Sequence, residues 1–141
     1  IMYAPSRQYA EQYRKVGATS SILEADPHKL VMLLLEGAST RLRLAMAHME
    51  RGDMAAKGQA IGRVCGIISH LASSLEHGQG GEIADNLSAL YDYILLRLTE
   101  GNLGNDRSAL EEALSLLGDI ETAWSAIPAA SPHTPFHGAS A

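Results

Sequence analysis

Four apolar stripes with helical spacing follow one another along this chain, and only short joints part them. That pattern leaves few folds open. Apolar positions recurring every three or four residues mark one face of an α-helix. Joints of a few residues oblige each helix to turn back beside the one before it.

The first stripe is Val31, Leu34, Leu35, Ala38, Leu42, Ala45, Met46 and Met49. It opens at Asp26-Pro27. The carboxylate can accept from free N–H groups, and proline suits a first helical position because it has no N–H to leave unpaired. Gly52 ends this helix and Asp53 caps the second, whose stripe is Met54, Ile61, Val64, Ile68, Leu71 and Leu75. His77-Gly78 closes it. After Gly80-Gly81 a third helix carries Ile83, Leu87, Leu90, Ile94 and Leu98, and Gly101 is expected to stop it. Asn105-Asp106 opens the fourth, with Leu110, Ala113, Leu117, Ile120, Trp124 and Ile127, and Pro128 breaks it.

Helices of roughly 20–25 residues are about 30–37 Å long. The fold class expected is all-α: an antiparallel up-down-up-down four-helix bundle over residues 26–127, one domain in a chain of 141 residues. Residues 1–25 read as an N-terminal arm carrying Tyr3, Tyr9, Tyr13 and Val16, followed by a small, polar stretch from Gly17 to Ser21. Residues 128–141, with three of the five prolines, read as a disordered C-terminal tail.

Composition narrows the function. The formal net charge is −5 and lysine occurs only at Lys15, Lys29 and Lys57, so the basic face a nucleic-acid binder needs is missing. The longest apolar run, Leu30 to Leu35, is far too short for membrane insertion. No basic segment leads into an apolar stretch near the start, so no secretory signal is expected. Cys65 is the sole cysteine and sits in a helical apolar pattern, which suits a core position in a reducing compartment, the cytosol.

Enzyme chemistry is not expected, and neither is a cofactor. A bundle di-metal site wants Glu-x-x-His pairs, and no glutamate here has a histidine three residues on. His133 and His137 fall in the proline-rich tail. The Gly78-Gln79-Gly80-Gly81-Glu82 stretch follows a helix and lacks the strand and Lys-Ser/Thr context of a phosphate loop. Arg51-Gly52-Asp53 spells an adhesion tripeptide, but a helix stop and a cap already explain it.

One feature exceeds what a bundle requires. The first helix adds Met32 and Leu33 to its stripe, and the third carries a second row at Ala84, Tyr91 and Leu95 beside its core row. Either the stripes are wide, with the Tyr91 hydroxyl kept wet at the rim, or these rows form a groove that another chain fills. The candidate partner-binding set is Tyr13 and Val16 on the arm, Met32 and Leu35 on the first helix, and Leu87, Tyr91, Ile94, Leu95 and Leu98 on the third. The arm either folds back over that groove, through Tyr13 above all, or is an ordinary disordered terminus.

Particular segments carry a resemblance. They are Ala25-Asp26-Pro27-His28-Lys29-Leu30-Val31, Glu36-Gly37-Ala38, Gly52-Asp53 with Lys57-Gly58, and Gly80-Gly81-Glu82-Ile83-Ala84. Then come Asn86-Leu87, Leu90-Tyr91-Asp92-Tyr93, Arg97-Leu98, Asn102-Leu103 with Asn105-Asp106, and Ala123-Trp124. In order and spacing the chain resembles the FliS family of flagellar secretion chaperones from Met2 to Ile127. It departs from the usual pattern at Leu35-Glu36, where an aromatic and Asp are common, at Leu96, where a second arginine is, and at Gly101, where Ala is.

The resemblance implies a cytosolic helical bundle that binds the disordered C-terminal segment of flagellin, keeps flagellin unpolymerised and helps deliver it to a flagellar export gate component. It implies no nucleotide, so release would come from competition at the gate. The alternative is a helical adaptor or regulator that binds a different amphipathic helix.

Overall fold

A computed structural model of the chain describes residues 26–76 and 81–127. They contain α1 (Pro27–Glu50), α2 (Met54–Glu76), α3 (Glu82–Gly104) and α4 (Arg107–Ala126). The all-α antiparallel bundle read from the four stripes is the observed architecture. The N-terminal arm and the C-terminal tail lie outside the described residues.

Three aspartates start helices as their positions suggest. The Asp26 carboxylate accepts from the Lys29 amide at 3.2 Å, Asp53 from Ala56 at 3.2 Å, and Asp106 from Ser108 at 3.0 Å and Ala109 at 3.3 Å. Each satisfies an amide that the first turn of a helix leaves without a partner. At the first joint Gly52 takes a φ of 76°, and the Asp53 amide reaches back to the His48 carbonyl at 2.9 Å. This closes α1 and opens α2 within three residues of chain.

Residues 32–127 form one compact unit. Within it α2 packs on α3 and α3 on α4. The Ser39 hydroxyl donates to Glu121, and Arg107 pairs with Glu50, so α1 lies against α4. Gly37 of α1 faces Ile67 of α2. The helices therefore stand in a square, α1-α2-α3-α4, with the α1–α2 face opposite the α3–α4 face. Leu35, Leu42, Ile68, Ile94, Leu98 and Leu117 are fully buried at its centre.

The third helix ends later than its sequence suggests. It runs through Gly101 to Gly104, and Asn105 makes the turn in the left-handed region at φ 50°. Gly101 is there for closeness rather than for stopping. A Cβ on it would lie 2.4 Å from Leu110 Cδ2 and 2.7 Å from its Cγ, and Leu110 is fully buried. Lys57 explains the rest of this corner. Its side chain is buried, and its Nζ donates to the Asn102 carbonyl at 2.9 Å and to the Asn105 side chain. An ammonium group thus sits against the negative end of α3 and ties α2 to it.

Gly101→Ala is expected to lower stability by about 1–3 kcal/mol through overpacking against Leu110. The helix-propensity gain of about 1 kcal/mol offsets only part of that. Gly62→Ala, where a Cβ meets nothing within 4 Å, should instead raise stability by about 0.5–1 kcal/mol. Urea unfolding of the two variants checks the contrast; a stabilised Gly101→Ala would mean that Leu110 moves aside freely.

Candidate functional site

The α3–α4 face carries an open, apolar groove of about 330 Å³. Ile83, Leu87 and Leu90 of α3 form one wall, and Ile120, Ala123, Trp124 and Ile127 of α4 and its end form the other. Among the described residues the rim contributes only Asn86 and Asp119 as polar groups. Ile83 is 83% exposed and Ile127 48%. Both are the outermost members of their stripes, at the end of the bundle where α3 begins and α4 finishes. A stripe is covered only as far as its neighbours reach, so the last layer of core residues becomes a groove. Large aliphatic groups left in water in a contiguous patch mark a surface that another apolar surface covers.

Farther along, a polar brace locks the same two helices together. The Tyr93 hydroxyl donates to Glu112 Oε1 at 2.6 Å, and Arg97 Nε donates to that oxygen at 2.7 Å. Arg97 also reaches Glu100 at 2.8 Å. Asp92, which the sequence groups with Arg97 as a polar residue in a suggestive setting, is exposed and stands apart from this network. The brace fixes the spacing of α3 and α4 below the groove. Donation from Tyr93, and then from Arg97, holds the Glu112 carboxyl below its ordinary range.

A carboxyl whose folded-state pKa is depressed contributes stability above its unfolded pKa and loses it as pH falls through the folded value. Glu112→Gln should therefore flatten the decline in melting temperature between about pH 7 and pH 3 relative to the unsubstituted chain. Identical slopes would show that the brace adds nothing to the fold.

Among the described residues the polar rim of the groove is an amide and one carboxylate, and the Cys65 thiol, half-buried on α2, has its pKa pushed up by burial, away from the thiolate that reactivity requires.

The residues singled out from sequence separate into four groups. Leu87 lines the groove. Leu35, Tyr91, Ile94 and Leu98 are interior, with Tyr91 only 2% exposed and its hydroxyl pKa pushed up to about 12 by desolvation. The reading of Tyr91 as a wet rim residue is therefore corrected. Each helix of a square bundle covers two neighbours, so a row beside the main stripe faces the second neighbour and is core. Leu95 and Met32 are half-buried and are not among the groove lining; Leu95 lies seven residues before Asn102, on the side of α3 turned to α2. Tyr13 and Val16 lie outside the described residues. Ile83, Leu90, Ile120, Trp124 and Ile127 were legible only as core stripe, and what makes them a site is their place in the last layer.

Comparison with known proteins fixes the family. The profile described as "Flagellar protein FliS" matches residues 9–131. The chain belongs to the FliS family. It is 44% identical over 116 residues to the flagellar secretion chaperone FliS of Salmonella typhimurium, covering 82% of this chain and 86% of that one. To the chaperone FliSB of Pseudomonas aeruginosa it is 40% identical over 117 residues, covering 83% and 93%. To FliS of Vibrio cholerae it is 37% identical over 118 residues, covering 84% and 87%. FliS proteins are thus the flagellar secretion chaperones among which this chain stands, and the resemblance read from its segments is confirmed.

Proposed function

We propose that this FliS protein is a cytosolic chaperone whose client is the disordered C-terminal segment of flagellin, held in the α3–α4 groove and handed on at a flagellar export gate component. The observation that carries this reading is the groove: contiguous, aliphatic and aromatic, and still exposed in the folded chain. A segment that forms amphipathic helices for filament assembly has an apolar face of the kind such a groove accepts, through side chains spaced at three, four and seven residues. Covering that face blocks its contact with other flagellins. The groove contributes few polar groups, so the contact rests on apolar burial and asks only for the right pattern in the client. Nothing in the mechanism hydrolyses a nucleotide; release comes from a competing surface at the gate.

Co-purification decides the client. Flagellin is expected to be retained by this chain, and flagellin lacking its C-terminal segment to be lost. Equal retention of both would place the contact elsewhere on flagellin.

A further inference from the structure

We propose that the bundle has a second docking surface, on the α1–α2 face, for one amphipathic helix of another protein whose apolar stripe is flanked by carboxylates. The proposal does not rest on the identity of the client. Two concavities of about 440 and 460 Å³ lie between α1 and α2, and they share Arg41 and Arg63. Together they make one trough running from Leu33 and His70 at one end to His48 and Ala56 at the other. Along α1 that is about fifteen residues or ~22 Å, four turns of a docked helix.

The floor is low where Gly37 and Gly66 stand, and Leu33 and Leu44 on its flank are 42% and 49% exposed. Among the described residues no carboxylate lines it. Among the described residues the ion pairs are made by Arg97 and Arg107, so the guanidinium groups of Arg41 and Arg63 pair with no acid. Arg41 instead rests with Nη1 3.5 Å from the Gly37 carbonyl, on its own helix. The local supply of acid is small: α2 has no Asp or Glu before Glu76, and of the two acids on α1 Glu50 is held by Arg107, while Glu36 is exposed beside the trough and pairs with neither Arg41 nor Arg63. Leucines around two uncommitted guanidinium groups match an apolar stripe edged by carboxylates, which arginine binds through paired N–H donors.

Other occupants fit less well. Residues 1–25 bring Arg7, Arg14 and Lys15 against Glu11 and Glu24, and residues 128–141 contain no acid at all. A second copy would offer its acidic α3–α4 side, which is itself a groove, concave against concave. A single helix from another protein meets both the shape and the charge. Because the two grooves are on opposite faces of the square, both can be filled at once, which would make the chaperone a bridge between its client and a second protein.

The probe is a fluorescein-labelled helical peptide with leucines at positions i, i+3 or i+4, and i+7 and glutamates on both flanks, compared with the same peptide carrying lysines there. Titrated into the full chain and read by anisotropy, the glutamate peptide is expected to bind at least about tenfold tighter, with affinity falling as salt rises. Arg41→Glu with Arg63→Glu should erase that preference, and Arg41→Gln with Arg63→Gln repeats the test should charge reversal disturb folding by circular dichroism. Ile83→Asp, on the opposite face, should leave the preference intact. Equal binding of the two peptides, or a preference that survives loss of both arginines, overturns the proposal. So does a preference lost in Ile83→Asp, which would put the peptide in the α3–α4 groove. Light scattering that shows the arginine variants dissociating a self-assembled chaperone would assign the face to a second copy and overturn it as well.

Discussion

Leu117→Ala lowers the unfolding free energy by about 2–5 kcal/mol. The side chain is fully buried midway along α4, where the stripes of the helices converge. Truncation removes its transfer energy and leaves a void that close-packed neighbours fill only in part. Ile83→Ala provides the contrast, since 83% of that residue already faces water; its effect should stay within about 0.5 kcal/mol. Equilibrium unfolding in urea measures both. Comparable losses at the two positions would mean that Ile83 is packed and the groove is not open.

Ile83→Asp combined with Ile127→Asp weakens binding of the flagellin C-terminal segment by at least about a hundredfold, ~2.7 kcal/mol. Burying an aliphatic side chain against a partner is worth about 1.5–3 kcal/mol. The double variant forfeits two such contacts and puts a carboxylate in place of each. Both positions are exposed in the free chain, so the fold should survive, and a circular dichroism melt confirms it. Calorimetry on the unsubstituted chain adds an independent sign. A client that orders as it binds buries roughly 1,000–3,000 Å² and gives a clearly negative heat-capacity change. A value near zero, or unchanged affinity in the double variant, contradicts a groove-based contact.

Much of the fold is legible in the sequence because local chemistry and helical period agree. Asp26, Asp53 and Asp106 begin helices, Gly52 turns one, and the stripes point inward, as the pattern of residues implies. Gly101 misleads because two needs ask for the same residue. A glycine signals a helix end, yet here it makes room for Leu110 while Asn105 takes the left-handed turn. Lys57 is equally silent in sequence. One lysine between Ala56 and Gly58 carries no sign of burial, and only the fold brings it to the end of α3.

The site was harder to read for a related reason. Periodicity tells how wide an apolar sector is, but not how many neighbours share it. Tyr91 belongs by its spacing to a second row beside the core stripe, yet it faces the interior. Ile83, Trp124 and Ile127 continue core stripes without interruption, and their exposure follows from the relative register of α3 and α4, which joint lengths alone do not set. The α1–α2 trough depends on which arginines lack a partner acid, and that is a property of the assembled surface.

Trp124 reports on occupancy of the groove from within its wall. It is the chain's single tryptophan, and it stands half-buried in the wall of the groove. Titration with a tryptophan-free peptide of the flagellin C-terminal segment should shift its emission to shorter wavelength and reduce quenching by acrylamide, with both changes saturating together at the binding stoichiometry. Saturating peptide that leaves emission and quenching as they were would show that the client is held somewhere other than the α3–α4 groove.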